Sequence, residues 1–157
     1  IKPIIDGIKE AMLGGVLLGY QVVDAKVALV GGAFDEQEST ELAFKIASTI
    51  AFRNAAMKAK PVILEPIVKV EVNVPEDYLG EVVSYLNSKR ARIEGISARK
   101  NVQIINATVP LSEMFGYATE LRSLTQGRGI YTMQFSHYDL ISDEKSAQML
   151  EGVSRVG

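Results

Sequence analysis

The sequence predicts an α+β protein made of two small α/β-sandwich units, of which the second is a ferredoxin-like βαββαβ fold. Two observations lead to this class. Residues 1–60 change from helical to strand-like and back to helical periodicity, and a proline at position 61 then ends the second helix. Residues 61–138 contain two apolar runs, each ending in a Val-Pro pair and each followed by a helical pattern and a further strand-like run.

The first unit opens on an amphipathic helix and continues into a strand. Apolar side chains recur at helical spacing over residues 1–13, and Gly14-Gly15 follows where a helix of about 12 residues would end. Apolar and polar residues then alternate over residues 23–29, which predicts a half-buried strand. Gly31-Gly32 is expected to end this strand at a hairpin turn, and a polar loop follows over residues 33–38.

A second helix follows the polar loop. Ser39 is a suitable N-cap, and Glu41 in the first turn favours the helix dipole. Lys58 and Lys60 occupy the predicted last turn before Pro61 stops the helix. A single strand cannot form a sheet, so this unit requires strands that are missing here or supplied by the other unit.

The second unit shows a short internal repeat: the pair Val74-Pro75 recurs 35 residues later as Val109-Pro110. Each proline is expected in the first turn of a helix of roughly 14 residues. The resulting order of two βαβ units in tandem is βαββαβ. The predicted strands lie around residues 67–72, 93–98, 102–107 and 130–135.

These patterns divide the chain into residues 1–60, residues 61–140 and a C-terminal helix and tail over residues 141–157. In the tail, a short helix is predicted from Asp143 to about Glu151, with a frayed end after it.

Composition narrows the functional classes. The 157 residues include no cysteine, which excludes disulfides and thiolate metal ligands and fits a cytoplasmic location. No apolar stretch approaches the roughly 18 residues of a membrane span. The net charge of −2 provides no global field for nucleic acid, so any RNA binding must come from local patches.

The residue types that commonly serve as catalytic groups or metal ligands do not form a recognisable motif in this sequence. His137 is the only histidine, and its place at the end of a predicted strand indicates a structural or surface role. Glu65, Glu71 and Glu94 lie on or beside predicted strands, where we expect exposed charges. No cluster of histidine and cysteine has the spacing of a zinc site, and no activated nucleophile is evident.

Basic residues concentrate around one predicted strand hairpin and at the end of the following helix. Cations at a helix C-terminus stabilise the helix dipole, and the same cations would bind RNA phosphate without reading sequence. The sequence leaves both interpretations open. The candidate RNA-binding residues are Lys89, Arg90, Arg92, Arg99, Lys100, Arg122 and Arg128.

The sequence closely resembles the C-terminal part of translation elongation factor G, the ribosomal translocase. The resemblance covers residue 1 to about residue 140. Residues 109–129 carry it most strongly, beginning Val109-Pro110-Leu111-Ser112-Glu113-Met114-Phe115-Gly116-Tyr117. Upstream, at the family's spacing, stand Ala43-Phe44-Lys45-Ile46-Ala47, Leu64-Glu65-Pro66-Ile67 and Val70-Glu71-Val72.

The resemblance implies a piece of a longer translational GTPase. Residues 1–60 would then be the end of the family's fourth domain, an incomplete ribosomal-protein-like unit, and residues 61–138 its fifth domain. GTP and Mg²⁺ would be cofactors of the parent protein alone, with no cofactor, catalytic residue, metal or small-molecule substrate on this fragment. The implied partners are ribosomal RNA and the tRNA–mRNA pair at the decoding centre, with no membrane.

The resemblance also assigns a role to the polar loop. Phe34, Asp35 and Glu36 match the tip of the fourth domain, which enters the decoding centre; by themselves they read equally well as an exposed turn whose acids favour the next helix. The family usually carries a histidine where this chain has Asp35, and Ser-Arg-Arg-Gly where it has Ser88-Lys89-Arg90-Ala91.

These departures keep alternatives open. An aspartate places negative charge where RNA phosphate would lie, which is compatible with a divergent paralogue acting in ribosome recycling. A stand-alone ferredoxin-like binding module is the other alternative, because this fold hosts many unrelated functions.

We predict that the isolated chain neither binds nor hydrolyses GTP. We interpret Gly31-Gly32 as a hairpin turn and Gly127-Arg128-Gly129 as a helix exit, not as phosphate-binding loops. The sequence has no G-x-x-x-x-G-K-[ST] loop to hold the phosphates of GTP. Titration calorimetry with GTP should give no heat of binding. A micromolar dissociation constant would contradict this prediction.

Overall fold

The computed structural model describes residues 1–154, which divide into two compact units. The first unit is Ile1–Ile63 together with the described residues from Ser142 onward, and the second is Leu64–Ile141. Residues 141–157 were expected to form a separate tail; the structure groups Ile141 with the second unit and the described residues from Ser142 onward with the first. The helix of this segment is α5 (Asp143–Ser154), which extends about three residues beyond the predicted end near Glu151. The rest of the predicted frayed end, residues 155–157, lies outside the described residues.

Two helices of the first unit pack closely against each other, α1 (Lys2–Gly14) and α2 (Glu41–Lys58). Gly7 marks the closest approach, because a side chain there would overlap Ser48 Oγ and the carbonyl oxygen of Lys45. Thr49 Oγ1 donates a hydrogen bond of 3.1 Å to the Gly7 carbonyl oxygen. These contacts show that the absence of a side chain at Gly7 sets the spacing of the two helices.

The predicted strand over residues 23–29 is wrong. Residues 25–35 have no regular secondary structure, and no strand is present among residues 1–63. The apolar side chains of the segment are exposed, with Val30 98% exposed. Alternating hydrophobicity forms a strand only when a neighbouring strand accepts its hydrogen bonds, and none exists within the described residues of this unit.

The N-terminus of α2 is capped one residue later than the sequence indicates. Thr40, rather than Ser39, is the N-cap, and its Oγ1 accepts a hydrogen bond of 3.1 Å from the Ala43 amide. Ser39 Oγ instead accepts a hydrogen bond of 2.8 Å from the amide of Asp35. Both hydroxyls are therefore satisfied, but Ser39 belongs to the preceding loop.

The second unit confirms the predicted ferredoxin-like βαββαβ arrangement. Its four strands form one sheet in the order β2-β3-β1-β4, and every neighbouring pair is antiparallel. The elements are β1 (Leu64–Pro75), α3 (Leu79–Ser88), β2 (Arg92–Arg99), β3 (Val102–Pro110), α4 (Tyr117–Leu124) and β4 (Ile130–Leu140).

The core of this unit lies between the sheet and its helices. Alternate residues of β1, from Val68 to Val74, are buried and belong to the same cluster as Val82 and Leu86 of α3. Full burial of an aliphatic side chain of this size stabilises the fold by about 1.5–3 kcal/mol. Tyr117 completes the cluster from α4 and stacks on Tyr85 at 5.8 Å between ring centroids.

The helices of the second unit are shorter than predicted, with ten residues in α3 and eight in α4. Pro75 and Pro110 are not in the first turn of these helices. Each proline is the last residue of a strand, paired with Val102 and Ile67 respectively, and is followed by a 3₁₀ turn. A strand end is one of the few places in a sheet that tolerates a proline.

Strand β4 is an edge strand with an irregularity near its middle. Ile67 pairs with His137 and Val68 pairs with Phe135, so Ser136 is an extra residue on β4. This arrangement is a β-bulge, which bends the strand and increases its local twist.

We expect Gly7→Ala to lower the free energy of unfolding by about 1–3 kcal/mol, because the new methyl group forces α1 and α2 apart. Urea denaturation of the 157-residue chain, followed by circular dichroism, measures the change. Gly14→Ala is the matched control in the same helix, since a side chain there meets no atom within 4 Å. Equal effects of the two substitutions would show that the close approach at Gly7 does not limit stability.

Candidate nucleic-acid interface

The candidate RNA-binding cations of the second unit do not form one patch, because they lie at opposite ends of the sheet. Lys89, Arg90 and Arg92 precede β2 or begin it, at the end of the sheet where β1 begins (the Leu64 end). Arg99 and Lys100 lie where β2 finishes, at the end where β1 also finishes (the Pro75 end). The eight residues of β2 separate the two groups by about 23 Å at 3.3 Å per residue.

Arg90 at the Leu64 end is held by two carboxylates. Its two terminal nitrogens donate to the two oxygens of Glu65 at 2.9 and 3.0 Å, and its Nε donates to Glu113 Oε1 at 3.1 Å. A bidentate guanidinium–carboxylate pair is among the stronger polar contacts in proteins. The contact with Glu65 also raises the pKa of the Arg90 guanidinium above its ordinary value.

The backbone at Arg90 supports this structural interpretation. Arg90 has a φ of 56° just after α3, a left-handed conformation that glycine adopts at much lower cost. The conformation turns the chain from α3 into β2, while the side chain reaches Glu65 at the start of β1. The Arg90–Glu65 ion pair therefore connects the exit of α3 to β1, and the Arg90–Glu113 pair connects it to the 3₁₀ turn after β3.

The burial of Glu65 corrects the sequence-based expectation for this residue. Glu65 was expected to be an exposed strand charge, but it is only 8% exposed. Its burial is compatible with a charge because Arg90 neutralises it with two hydrogen bonds. Glu71 and Glu94 are exposed, as expected, and His137 is an exposed residue whose Nδ1 lies 2.9 Å from Ser136 Oγ.

The cations at the Pro75 end are more available to a partner. Arg99 is the last residue of β2 and Lys100 begins the β2–β3 turn; both are exposed. Arg122 is exposed in the last turn of α4, which runs from the Leu64 end towards the Pro75 end. None of the three forms an ion pair within the described part of the chain. Arg128 lies over the ring of Tyr78 at 6.0 Å from the ring centroid and is also exposed.

Two Leu64-end cations remain outside the ion-pair network. Lys89 Nζ lies 5.2 Å from the centroid of the Tyr85 ring, a cation–π contact that leaves the ammonium partly exposed. Arg92 is exposed at the start of β2. The charge of Arg90 is balanced locally by Glu65 and Glu113, so Lys89 and Arg92 carry the net positive charge of this group.

In the first unit, the loop before α2 forms a closed turn. The Asp35 carboxylate oxygen Oδ1 accepts hydrogen bonds of 2.8 Å from the Gln37 amide and 3.1 Å from the Glu38 amide. The Ser39 amide donates to the Asp35 carbonyl oxygen at 2.9 Å, while Ser39 Oγ accepts from the Asp35 amide. We call residues 35–39 the tip turn.

An aromatic pair lies beside the tip turn. The rings of Phe34 and Phe44 are nearly parallel, with an interplanar angle of 5° and 6.3 Å between their centroids. Phe34 is nevertheless 70% exposed. The tip therefore presents an aromatic face next to the carboxylates of Asp35, Glu36 and Glu38, all of which are exposed.

Comparison with known proteins identifies both parts of the chain. The family described as "Elongation factor G, domain IV" matches residues 1–60, and the family described as "Elongation factor G C-terminus" matches residues 62–149. A crystal structure of a protein from Thermus thermophilus is similar, with 36% sequence identity and a TM-score of 0.87. The similarity covers 99% of this chain and 24% of that protein, so this chain spans about a quarter of its length.

The structure describes no membrane-crossing helix, because none of the helices within residues 1–154 is both long and apolar enough. Within the same residues, no three His, Asp or Glu side chains come together as metal ligands would.

We expect Arg90→Gln to destabilise the protein by about 2 kcal/mol. Removing one partner of a buried ion pair typically costs about 3–5 kcal/mol, and the 35% exposure of the Arg90 side chain reduces that cost. Lys100→Gln is the control, since Lys100 has the same φ of 56° but no ion pair among the described residues. Thermal unfolding at neutral pH tests both variants. Equal melting temperatures of the Arg90→Gln and Lys100→Gln variants would show that Arg90 does not stabilise the fold.

Proposed function

The chain belongs to the elongation factor G family, and from this membership we propose that it is the ribosome-binding C-terminal part of a translational GTPase. The proposed parent protein moves tRNA and mRNA through the ribosome in the cytoplasm. Within it, the second unit binds ribosomal RNA and the tip of the first unit enters the decoding centre. Any GTP and Mg²⁺ chemistry belongs to residues of the parent outside this chain, since no phosphate-binding loop is found in this sequence.

The observation that carries the RNA-binding proposal is the exposure of Arg99, Lys100 and Arg122 without an ion pair among the described residues. A cation already paired with a carboxylate gains little from an RNA phosphate, whereas an unpaired cation releases a bound counterion from the RNA. We therefore expect the Pro75 end to dominate binding, with Arg128 adding to it. Lys89 and Arg92 add a second, weaker contact, and Arg90 adds the least because its guanidinium is occupied by Glu65 and Glu113.

The tip supports the decoding-centre proposal through its shape. It follows a segment without regular secondary structure and ends at the capped start of α2, so it is held at one end by a rigid helix. Its exposed Phe34 ring offers a stacking surface for a base or a sugar. RNA phosphate would repel the carboxylates of Glu36 and Glu38, so contacts of these two side chains to hydroxyls or base amino groups are favoured.

The tip charge favours a second candidate function, ribosome recycling by a divergent paralogue. Asp35 stands where the resemblance implies a histidine, and aspartate cannot donate a hydrogen bond when ionised. Two assays on the parent protein separate the candidates. A translocase accelerates movement of a tRNA–mRNA pair, whereas a recycling factor accelerates subunit splitting together with its partner factor and leaves the translocation rate unchanged.

We predict that replacing Arg99, Lys100 and Arg122 together by glutamine weakens ribosome binding by the parent protein and flattens its salt dependence. Each lost phosphate contact should reduce the slope of log affinity against log salt by about 0.7–0.9, so the triple variant should lose about 2–3. Affinity measured at several potassium concentrations gives the slope.

The control changes the same amount of charge in the first unit, with Lys2, Lys9 and Lys58 replaced by glutamine; all three are exposed and lie on α1 and α2. The control should leave the slope within about 0.5 of the unchanged protein. If the two triple variants behave alike, the Pro75 end is not an RNA-binding surface.

A further inference from the structure

The Asp35 carboxylate is directed towards its own backbone. Oδ1 accepts from the Gln37 and Glu38 amides, and the Asp35 amide donates to Ser39 Oγ. Together with the bond from the Ser39 amide to the Asp35 carbonyl, four hydrogen bonds close the five residues of the tip turn. The loop is thus held by its first and last residues, and Asp35 takes part in every one of these bonds.

These bonds indicate that the Asp35 carboxylate has a structural role in the tip turn. A carboxylate that accepts two amide hydrogen bonds is partly neutralised and has a fixed orientation. Hydrogen bonds to a charged acceptor contribute more than neutral ones, so the turn would lose much of its order without this carboxylate. The neighbouring carboxylates of Glu36 and Glu38 accept no such bonds among the described residues and are the outward-facing charges.

The turn also determines what surrounds it. Phe34 directly precedes the turn, and Thr40 directly follows it as the N-cap of α2. The stacking of Phe34 on Phe44, one turn into α2, requires the chain to reverse direction between them. An open loop would release Phe34 from this position and add conformational freedom at the tip.

We propose that Asp35 is a positioning residue, which closes the tip turn through its backbone and so holds Phe34 and Glu36 in place for contact with RNA. Asp35 acts through the shape of the tip and does not touch the RNA through its charge. This inference rests on the proposed function for its effect on translocation; the closing of the turn itself is a property of this chain alone.

Two substitutions separate shape from charge. Asp35→Asn removes the charge but keeps an oxygen that can accept from the Gln37 and Glu38 amides. Ser39→Ala keeps the Asp35 charge but removes the hydroxyl that accepts from the Asp35 amide. Asp35→Ala removes the charge and the two hydrogen bonds of the carboxylate, and leaves the two backbone bonds of residue 35. For the exchange measurement, Glu36→Ala is the control that removes a neighbouring charge without a hydrogen bond to the turn.

The first measurement is amide hydrogen exchange in the 157-residue chain. Asp35→Ala should speed exchange of the Gln37 and Glu38 amides by about tenfold, the effect of losing roughly 1.4 kcal/mol of protection. Asp35→Asn should stay within about threefold of the unchanged chain, and Glu36→Ala should have no effect. Unchanged exchange in Asp35→Ala would overturn the closing role.

The second measurement is the single-round translocation rate of the parent protein. Asp35→Ala and Ser39→Ala should slow it by about fivefold or more, while Asp35→Asn stays within about twofold. The opposite pattern, with Asp35→Asn slow and Ser39→Ala unaffected, would overturn the proposal by showing that the charge itself is used. A parent protein that does not accelerate translocation at all would overturn the proposed function, and with it the positioning role; the exchange result would still decide whether Asp35 closes the turn.

Discussion

The pairing of β1 on both sides is the constraint on which the second unit depends. This 12-residue strand is hydrogen-bonded to β3 along one edge and to β4 along the other, so the two halves of the βαββαβ order meet on it. One face of β1 contributes the valines of the core. Because neighbouring strands are antiparallel, the strand order also fixes which helix exits and turns share an end of the sheet.

That geometry divides the basic residues into groups with different chemistry. The two βα crossovers run in opposite directions relative to the sheet, so the exit of α3 lies at the Leu64 end and the exit of α4 at the Pro75 end. At the Leu64 end, the buried carboxylate of Glu65 occupies Arg90. At the Pro75 end, no carboxylate of the described chain occupies the cations, so the location of an arginine in the topology decides whether it stabilises the fold or is available to a partner.

The sequence predicted the elements that depend on local pattern and missed those that depend on distant partners. The apolar alternation of β1 and the helical spacing of α3 are visible in the chain, and they led to the correct strand and helix order. The strand expected over residues 23–29 failed because a strand needs a pairing partner, and the described residues of the first unit contain no other strand. Similarly, the burial of Glu65 depends on an arginine 25 positions later, and no local signal indicates that these two residues meet. The tip turn was recognised as a loop, but the inward orientation of the Asp35 carboxylate could be known only from the three-dimensional arrangement of the Gln37 and Glu38 amides.

The bulge at Ser136 affects whether the edge of the sheet can pair with a strand of another chain. Strand β4 has no strand partner on its outer side within the described sheet and carries exposed Met133, Phe135, Tyr138 and Leu140, a combination that promotes edge-to-edge aggregation. The extra residue divides the strand into two shorter stretches with different twist, so an added strand cannot remain in register along all 11 residues. Ser136 therefore opposes fibre-like association in a strand whose side chains otherwise favour it.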